Sequence, residues 1–214
     1  MALSMQHWNG NQMVVVDVET TGNIPGHHEI WQICCLPLDS NIQVRKDVLP
    51  FYMLIQPEAA WRINWTIPVM KTNKKKIINA IRSGYDPEIA KGLFEEWMEK
   101  LNLPLNKGGT DRCKIIPLGH NYAFDMDFLK HWLGVSLYDE FFHYHPRDTM
   151  NTIAFMNDYH AMQADRVPFS KLSLRWMAHQ LGVPVQPAHL HDALQDCLVT
   201  ANSYRELLCR GIRV

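Results

Sequence analysis

The sequence lacks a long apolar run, a surplus of basic residues and any C-x-x-C pair. Its apolar runs, such as residues 13–16, cover only a few residues, whereas a membrane-spanning helix needs about 20 apolar residues. The formal net charge of −1 excludes a broad basic surface for a phosphate backbone, so any nucleic-acid contact must be local or mediated by metal. The first ten residues lack the basic and apolar regions of a secretory signal. An odd count of five cysteines argues against a disulfide framework. We therefore expect a cytoplasmic protein with free, buried thiols.

What is present is the composition of a packed domain. A length of 214 residues with 47% hydrophobic residues is typical of one globular domain, residues 1–214. Short apolar segments bounded by turn-forming residues predict strands over 13–18, 30–36, 51–55 and 114–118, of which the first three form an antiparallel meander. Helical periodicity predicts helices from Pro87, from Asn121 to Leu133, over 172–181 and from Asp192 to about Leu208. Strands followed by helices predict an α/β or α+β sheet flanked by helices.

Asp17 and Glu19 lie two positions apart at the end of the first predicted strand. Side chains alternate along a strand, so both carboxylates project from the same side and repel each other unless a cation lies between them. Mg²⁺ prefers such oxygen ligands. A second D-x-E, Asp86 to Glu88, falls at a predicted helix start, where acids favour the positive end of the helix dipole. Only the first copy therefore predicts a metal site.

Asn121 and Asp125 lie four apart, on one face of a helix that follows the fourth predicted strand. The start of this helix is expected to offer backbone N–H groups to a phosphate. Asp127 competes with Asp125, but its position two residues further round the helix predicts a solvent-facing side chain. Asp125 is therefore the candidate ligand.

His191 and Asp196 form the last candidate pair, just before and within the final predicted helix. Spacing alone is a weak signal, because His120, His143 and His160 also precede an aspartate by five positions. Among these four histidines, only His191 precedes a long amphipathic helix, and its partner Asp196 adds a further carboxylate to Asp17, Glu19 and Asp125. Asp192, with Gln195 three residues on, is predicted to cap that helix. His189 competes with His191 but lacks the spacing to Asp196.

In chain order, these three segments resemble the three motifs of the DEDDh, or DnaQ-like, 3′-to-5′ exonuclease family. They read Asp17-Val-Glu19-Thr-Thr-Gly, Asn121-Tyr-Ala-Phe-Asp125 and His191-Asp-Ala-Leu-Gln-Asp196. The resemblance implies a ribonuclease-H-like α/β fold, with a mixed sheet of about five strands flanked by helices, over a core of residues 13–208. It also implies two divalent cations, Mg²⁺ or Mn²⁺, held by Asp17, Glu19, Asp125 and Asp196, with His191 as the general base.

By the same resemblance, the expected reaction releases nucleoside 5′-monophosphates from a nucleic-acid 3′ end. The residues expected to line the pocket for the terminal nucleotide are Val18, Thr20, Thr21, Asn121 and Phe124. Phe124 has core packing as its alternative role. Single-stranded DNA is favoured over RNA, and a polymerase or repair complex is a possible partner. Such a stand-alone nuclease fits the cytoplasm of a bacterial or phage-infected cell. The alternatives are an exoribonuclease and a non-catalytic nucleic-acid-binding subunit of such a complex.

Two segments depart from the common pattern of this family. The lysine run 74–76 is predicted to be a solvated helix face, with electrostatic guidance of a strand as the alternative. Trp61 and Trp65 are predicted to be packing anchors, with base stacking as the alternative. His143 and His145 have no ligand set at metal-site spacing and are not predicted to bind metal.

Overall fold

The protein is an α/β structure with one mixed five-stranded sheet, as the sequence predicts. The computed structural model describes residues 11–57, 67–105, 112–186 and 191–211. The strands are β1 (Gln12–Thr20), β2 (Ile30–Pro37), β3 (Phe51–Leu54), β4 (Ile115–Gly119) and β5 (Arg147–Asp148). The helices are α1 (Ile67–Ser83), α2 (Pro87–Lys100), α3 (Tyr122–Leu133), α4 (Val135–Phe141), α5 (Thr149–Met162), α6 (Leu174–Leu181) and α7 (Ala193–Arg210).

The sheet has the strand order β3-β2-β1-β4-β5. The first three strands form an antiparallel meander, and β4 and β5 add in parallel beside β1. The meander was predicted from the absence of helices between three apolar segments, and the structure confirms it. Because β1 and β4 are parallel, their carboxyl ends lie at the same edge of the sheet, where α3 follows β4.

Both faces of β1 are buried, which explains its continuous β-branched sequence. Val14, Val16 and Val18 face the cluster that contains residues of α2, α3 and α4. Met13 and Val15 face α7 in a second cluster. Asp17 and Glu19 continue the row of Met13 and Val15 by the alternation of a strand, so they project on the side of the sheet that α7 covers.

Helix boundaries follow the predicted capping chemistry. Asp86 caps α2 by accepting hydrogen bonds from the amides of Glu88 and Ile89, so the second D-x-E is structural as predicted. Gly182 ends α6 in the left-handed conformation, with φ of 73°. Asp192 accepts from the amide of Gln195 at the start of α7, which confirms its role as a cap.

Helix α1 lies over the sheet beside the meander. Its residues Ile77 and Ala80 pack against the fully buried indole of Trp31 on β2. The last third of α1 is therefore fixed by core contacts. Trp61 and Trp65, predicted to be packing anchors, lie outside the described residues.

Three of the five cysteines, Cys34, Cys35 and Cys197, are buried free thiols, as predicted. Cys113 is half-buried and Cys209 is exposed, so the prediction of burial is wrong for these two. Among the described residues, no helix combines the length and apolar composition needed to cross a membrane.

Candidate active site

The structure brings together the four predicted carboxylates from three distant segments. Asp17 and Glu19 lie near the end of β1, Asp125 in the first turn of α3 and Asp196 in the first turn of α7. Burial raises the pKa of Asp17, and the charges of Asp125, Glu19 and Asp196 raise it further. A strand and two helix starts thus converge on one acidic cluster at the carboxyl edge of the sheet.

Asp125 is the most tightly held of these acids. Its side chain is 4% exposed, and its Oδ1 accepts a hydrogen bond of 2.9 Å from the backbone N–H of Val18. This bond joins the first turn of α3 to β1 at the residue between Asp17 and Glu19. The relative position of the first two motifs is therefore set by the backbone of the core.

Burial and repulsion from neighbouring acids disfavour the ionised forms of the four carboxylates, so their pKa values are raised. Burial, reinforced by the neighbouring acids, raises the pKa of Glu19 to about 8. Burial also raises the pKa of Asp125 to about 8, although the Val18 N–H opposes this shift. The pKa of Asp196 rises to about 6 through burial and the nearby Asp192. Such shifts mean that these acids tend to bind protons unless a cation stabilises their ionised forms.

His191 lies at the open side of the same cluster, immediately before α7. One side-chain ligand atom from each of Glu19, His191 and Asp196 lies within 4.8 Å of the other two. Burial, with the positive charge of Lys76, lowers the pKa of His191. Its imidazole is therefore largely neutral near pH 7 and has a nitrogen free of a proton.

The donor set fits divalent cations. Clustered carboxylates with raised pKa values are the environment that a hard cation such as Mg²⁺ or Mn²⁺ neutralises, because these ions bind carboxylate oxygen. The residues that would hold such ions are Asp17, Glu19, Asp125 and Asp196. An ion held by Glu19 and Asp196 would lie beside the imidazole of His191.

A polar network fixes the start of α7 on the sheet. Asp192 Oδ2 accepts a 2.8 Å hydrogen bond from the hydroxyl of Tyr52 on β3, and a 3.3 Å bond from Gln32 on β2. The side-chain oxygen of Gln32 accepts from the amide of Ala193. Burial and the bond to Asp192 raise the pKa of Tyr52, so its hydroxyl stays protonated and donates. The cap of α7 is thus also its attachment to two strands.

Helix α1 adds two residues to the site that the sequence did not predict there. Asn73 Nδ2 donates to Glu19 Oε2 at 3.3 Å, and Lys76 Nζ donates to the backbone oxygen of His191 at 2.6 Å. Lys74 and Lys75 are exposed, as predicted for the lysine run. Lys76 departs from that prediction because it is half-buried and bound at the site. The three-residue spacing of Asn73 and Lys76, one face of a helix, is a signal that could have separated Lys76 from its neighbours.

The predicted nucleotide-pocket residues occupy varied surroundings. Val18 is buried and its amide is bound to Asp125. Thr20 donates to the Gly22 oxygen, and Thr21 accepts from the amide of Glu29, so both hydroxyls shape the turn after β1. Asn121 is exposed, and Phe124 is half-buried against Phe128, with ring centres 5.0 Å apart. The contact of these five residues with a nucleotide stays a prediction.

The start of α3 differs from the expected phosphate site. The amides of Asn121 and Tyr122 donate to the carboxylate of Asp148, at 3.1 and 2.8 Å. The same carboxylate caps α5 by accepting from the amides of Met150 and Asn151. A side chain from β5 therefore takes the place that phosphate was expected to fill, and that prediction is wrong for these two amides.

The other histidine candidates are separated from the cluster. His120 bonds through its two ring nitrogens to Thr149 and to the oxygen of Leu172. His143 accepts from the amide of His145, which is a local contact. Asp127 is exposed, as predicted. His189 lies outside the described residues.

Comparisons with known proteins agree with this architecture. No protein-family model matches the sequence, and neither does any curated protein sequence. Solved structures do match. Exonuclease I of E. coli, in complex with a dT13 oligonucleotide, superposes with a TM-score of 0.69 at 15% identity, over 95% of this chain and 42% of that chain. Exonuclease I of Methylocaldum szegediense gives a TM-score of 0.68 over 94% of this chain and 41% of that chain.

A second kind of neighbour is the cell-death related nuclease 4, CRN-4. Its TM-score is 0.67 at 15% identity, over 96% of this chain and 66% of that chain. The chain thus spans about two fifths of the length of exonuclease I and about two thirds of that of CRN-4. At this identity the similarity concerns the fold, and it confirms the fold that the three motifs predict. The chain has the ribonuclease-H-like α/β fold that it shares with exonuclease I and CRN-4.

Proposed function

We propose that this chain is a metal-dependent 3′-to-5′ exonuclease of the DEDDh type, acting as a single domain with a core of residues 13–208. The observation that carries the proposal is the convergence of Asp17, Glu19, Asp125 and Asp196, with His191 beside them, at one edge of a sheet. A fold shared with exonuclease I and CRN-4 supports it.

The four carboxylates would hold two divalent cations, Mg²⁺ or Mn²⁺. When bound, such a pair lowers the pKa of a metal-bound water and stabilises the attacking and leaving oxygens of an in-line displacement at phosphorus. Without cations the same acids repel a phosphodiester. A protein that only binds nucleic acid has no need of such a cluster, and this argues against the non-catalytic alternative.

His191 is proposed as the general base. Its ring lies beside Glu19 and Asp196, and its lowered pKa leaves it able to accept a proton near neutral pH. A proton taken from the attacking water would pass to the imidazole, at the solvent side of the cluster. The residues proposed to hold the terminal nucleotide are Val18, Thr20, Thr21, Asn121 and Phe124.

Single-stranded DNA is the proposed substrate, and nucleoside 5′-monophosphates are the proposed products. The complex of E. coli exonuclease I with a dT13 oligonucleotide supports DNA for this chain. An exoribonuclease remains the second candidate, because the same carboxylates serve either sugar and the discrimination depends on contacts with the 2′-hydroxyl. A polymerase or repair complex as partner stays a prediction.

The test follows the shortening of matched 5′-labelled DNA and RNA strands in Mg²⁺. The wild-type protein should shorten the DNA strand from its 3′ end in single-nucleotide steps, and EDTA should stop it. Asp125→Asn should lower the rate about a thousandfold, equivalent to the several kcal/mol that metal-ion stabilisation contributes. Asp127→Asn, a substitution at the exposed acid two residues along, should leave the rate unchanged.

Two results would contradict the proposal. If the wild-type protein shortens neither strand in Mg²⁺ or Mn²⁺, the proposed nuclease activity is wrong. Equal rates for Asp125→Asn and Asp127→Asn would show that the activity does not depend on the acidic cluster. Faster cleavage of RNA than of DNA would select the exoribonuclease.

A further inference from the structure

Two described side chains of helix α1, Asn73 and Lys76, reach the acidic cluster. Asn73 contacts Glu19, and one turn later Lys76 contacts the backbone oxygen of His191. The intervening Lys74 and Lys75 are exposed. Residues three apart on a helix lie on the same side, so Asn73 and Lys76 face the site together while the other two lysines face solvent.

This face is attached to the core just beyond Lys76. Ile77 and Ala80 are fully buried against Trp31. A lysine side chain has four rotatable bonds and ordinarily loses much entropy when it is held in one geometry. Here the backbone from which it extends is already fixed, so only the side chain must be ordered to reach His191.

The group that Lys76 binds has an unusual backbone. His191 has φ of 59°, in the left-handed region that residues other than glycine rarely adopt. Such conformations persist where surrounding contacts enforce them. On the carboxyl side of His191, Asp192 is held by Tyr52 and Gln32. The carbonyl oxygen of His191 itself accepts a hydrogen bond from Lys76 Nζ, at 2.6 Å.

We propose that Lys76 is a positioning residue for His191. Its ammonium group holds the His191 carbonyl, and this contact keeps the left-handed backbone and the imidazole on the side of Glu19 and Asp196. The inference rests on the proposed function, in which His191 is the base. It assigns a role in the reaction to a residue of α1, a helix that carries none of the three motifs.

The test compares Lys76→Met with Lys75→Met, which removes an exposed lysine from the same helix. Lys76→Met should lower kcat about tenfold, a part of the ~10²- to 10⁴-fold that a positioned general base contributes. KM for single-stranded DNA should stay within about twofold, because the substitution misplaces the base rather than a substrate contact. Lys76→Arg, which keeps a charged donor, should recover most of kcat, and Lys75→Met should match the wild type.

A second readout needs neither metal nor substrate. Amide hydrogen exchange in the metal-free protein reports whether the segment around His191 is held. The amide of Ala193, which donates to Gln32, should exchange several-fold faster in Lys76→Met than in Lys75→Met. The melting temperatures of the two variants should agree, which separates local release from unfolding.

The outcomes distinguish the two proposals. Cleavage by the wild type but not by Asp125→Asn would support the nuclease. If Lys76→Met then keeps the wild-type kcat and the wild-type rate of amide hydrogen exchange, the positioning role is wrong while the nuclease proposal stands. An increase in KM with unchanged kcat would assign Lys76 to substrate binding and overturn the positioning role. If the wild type does not cleave, the proposed function is wrong, and the exchange experiment still decides whether Lys76 holds His191.

Discussion

The two sides of the acidic cluster are constructed differently. The core side, Asp17 and Asp125, lies on the central strand and on the first turn of α3, and the two are joined by the hydrogen bond from the backbone N–H of Val18 to Oδ1 of Asp125. The C-terminal side, His191 and Asp196, is attached by side chains, through Tyr52 and Gln32 to Asp192 and through Lys76 to His191. The core side therefore depends on the fold. On the C-terminal side α7 itself packs in the core through Ala193 and Cys197, but we expect that the segment of His191 and Asp192 before it can be loosened without unfolding the protein.

The largest effect is expected on the core side, from loss of Asp148. Its carboxylate caps both α3 and α5, and each N-cap is worth about 0.5–2 kcal/mol. We expect Asp148→Ala to lower the free energy of unfolding by about 2–3 kcal/mol, measured by urea denaturation. Asp158→Ala, at an exposed position of α5, should cost less than about 0.5 kcal/mol. Equal losses for the two variants would contradict the double cap.

A second effect, the pH dependence of stability, should distinguish the two sides of the acidic cluster. In the folded, metal-free protein the pKa values of Glu19 and Asp125 are raised to about 8, and that of Asp196 to about 6. A raised pKa means that folding favours the protonated acid, so this contribution to stability is present below about pH 4 and is lost as the pH rises through the folded pKa. Divalent cations should replace the protons.

We therefore expect the increase in melting temperature on adding Mg²⁺ to be larger at about pH 8 than at about pH 6. In EDTA, Asp125→Asn should reduce the loss of stability between these two pH values more than Asp196→Asn does, because Asp196, with a pKa of about 6, is already about half ionised at about pH 6, whereas Asp125, with a pKa of about 8, ionises within this interval. Thermal melts at both pH values measure this. A Mg²⁺ effect that is independent of pH would show that metal and protons do not compete.

The smallest effect is expected on the C-terminal side, from Tyr52→Phe. This substitution removes one hydroxyl from Asp192 and Gln32, a loss of about 1 kcal/mol or less at a site that is 42% exposed. We expect a decrease of a few-fold in kcat with little change in the melting temperature. Tyr85→Phe, at another exposed tyrosine, is the control. A large fall in stability would show that the C-terminal side is as integral to the fold as the core side.

The parts of the fold that were predicted from the sequence are those with a local signal. The nearly continuous, β-branched sequence of residues 13–18 predicts β1, and the D-x-E at its end predicts a metal site because it follows that strand. Asp192 acts as the predicted cap, and Asp86 has the structural role predicted for it at a helix start, because both roles are local chemistry. Strand β5, with only Arg147 and Asp148, is too short to show a period.

The interactions that were missed are between segments distant in the chain. The contact of Lys76 with His191 joins residues 115 apart, and the sequence shows only a run of three lysines. Asp148 is paired with His143 by the H-x4-D pattern, yet it caps two helices. Helix α5 has buried Ile153 and Met156 but exposes Phe155 and Met162, so its apolar residues show no single face. Tertiary packing decides each of these cases, and one sequence does not display it.

The bond between Val18 and Asp125 spans 107 residues, and Cys197, one residue beyond Asp196, contacts the oxygen of Val15 across 182. Contacts of such high sequence separation form late and slow the folding of a domain. On the ribosome, Asp17 and Glu19 emerge long before Asp196 is synthesised. A nascent chain therefore lacks the complete set of carboxylates until Asp196 has been synthesised and α7 has packed on the sheet, and the proposed degradation of nucleic acid cannot start before then.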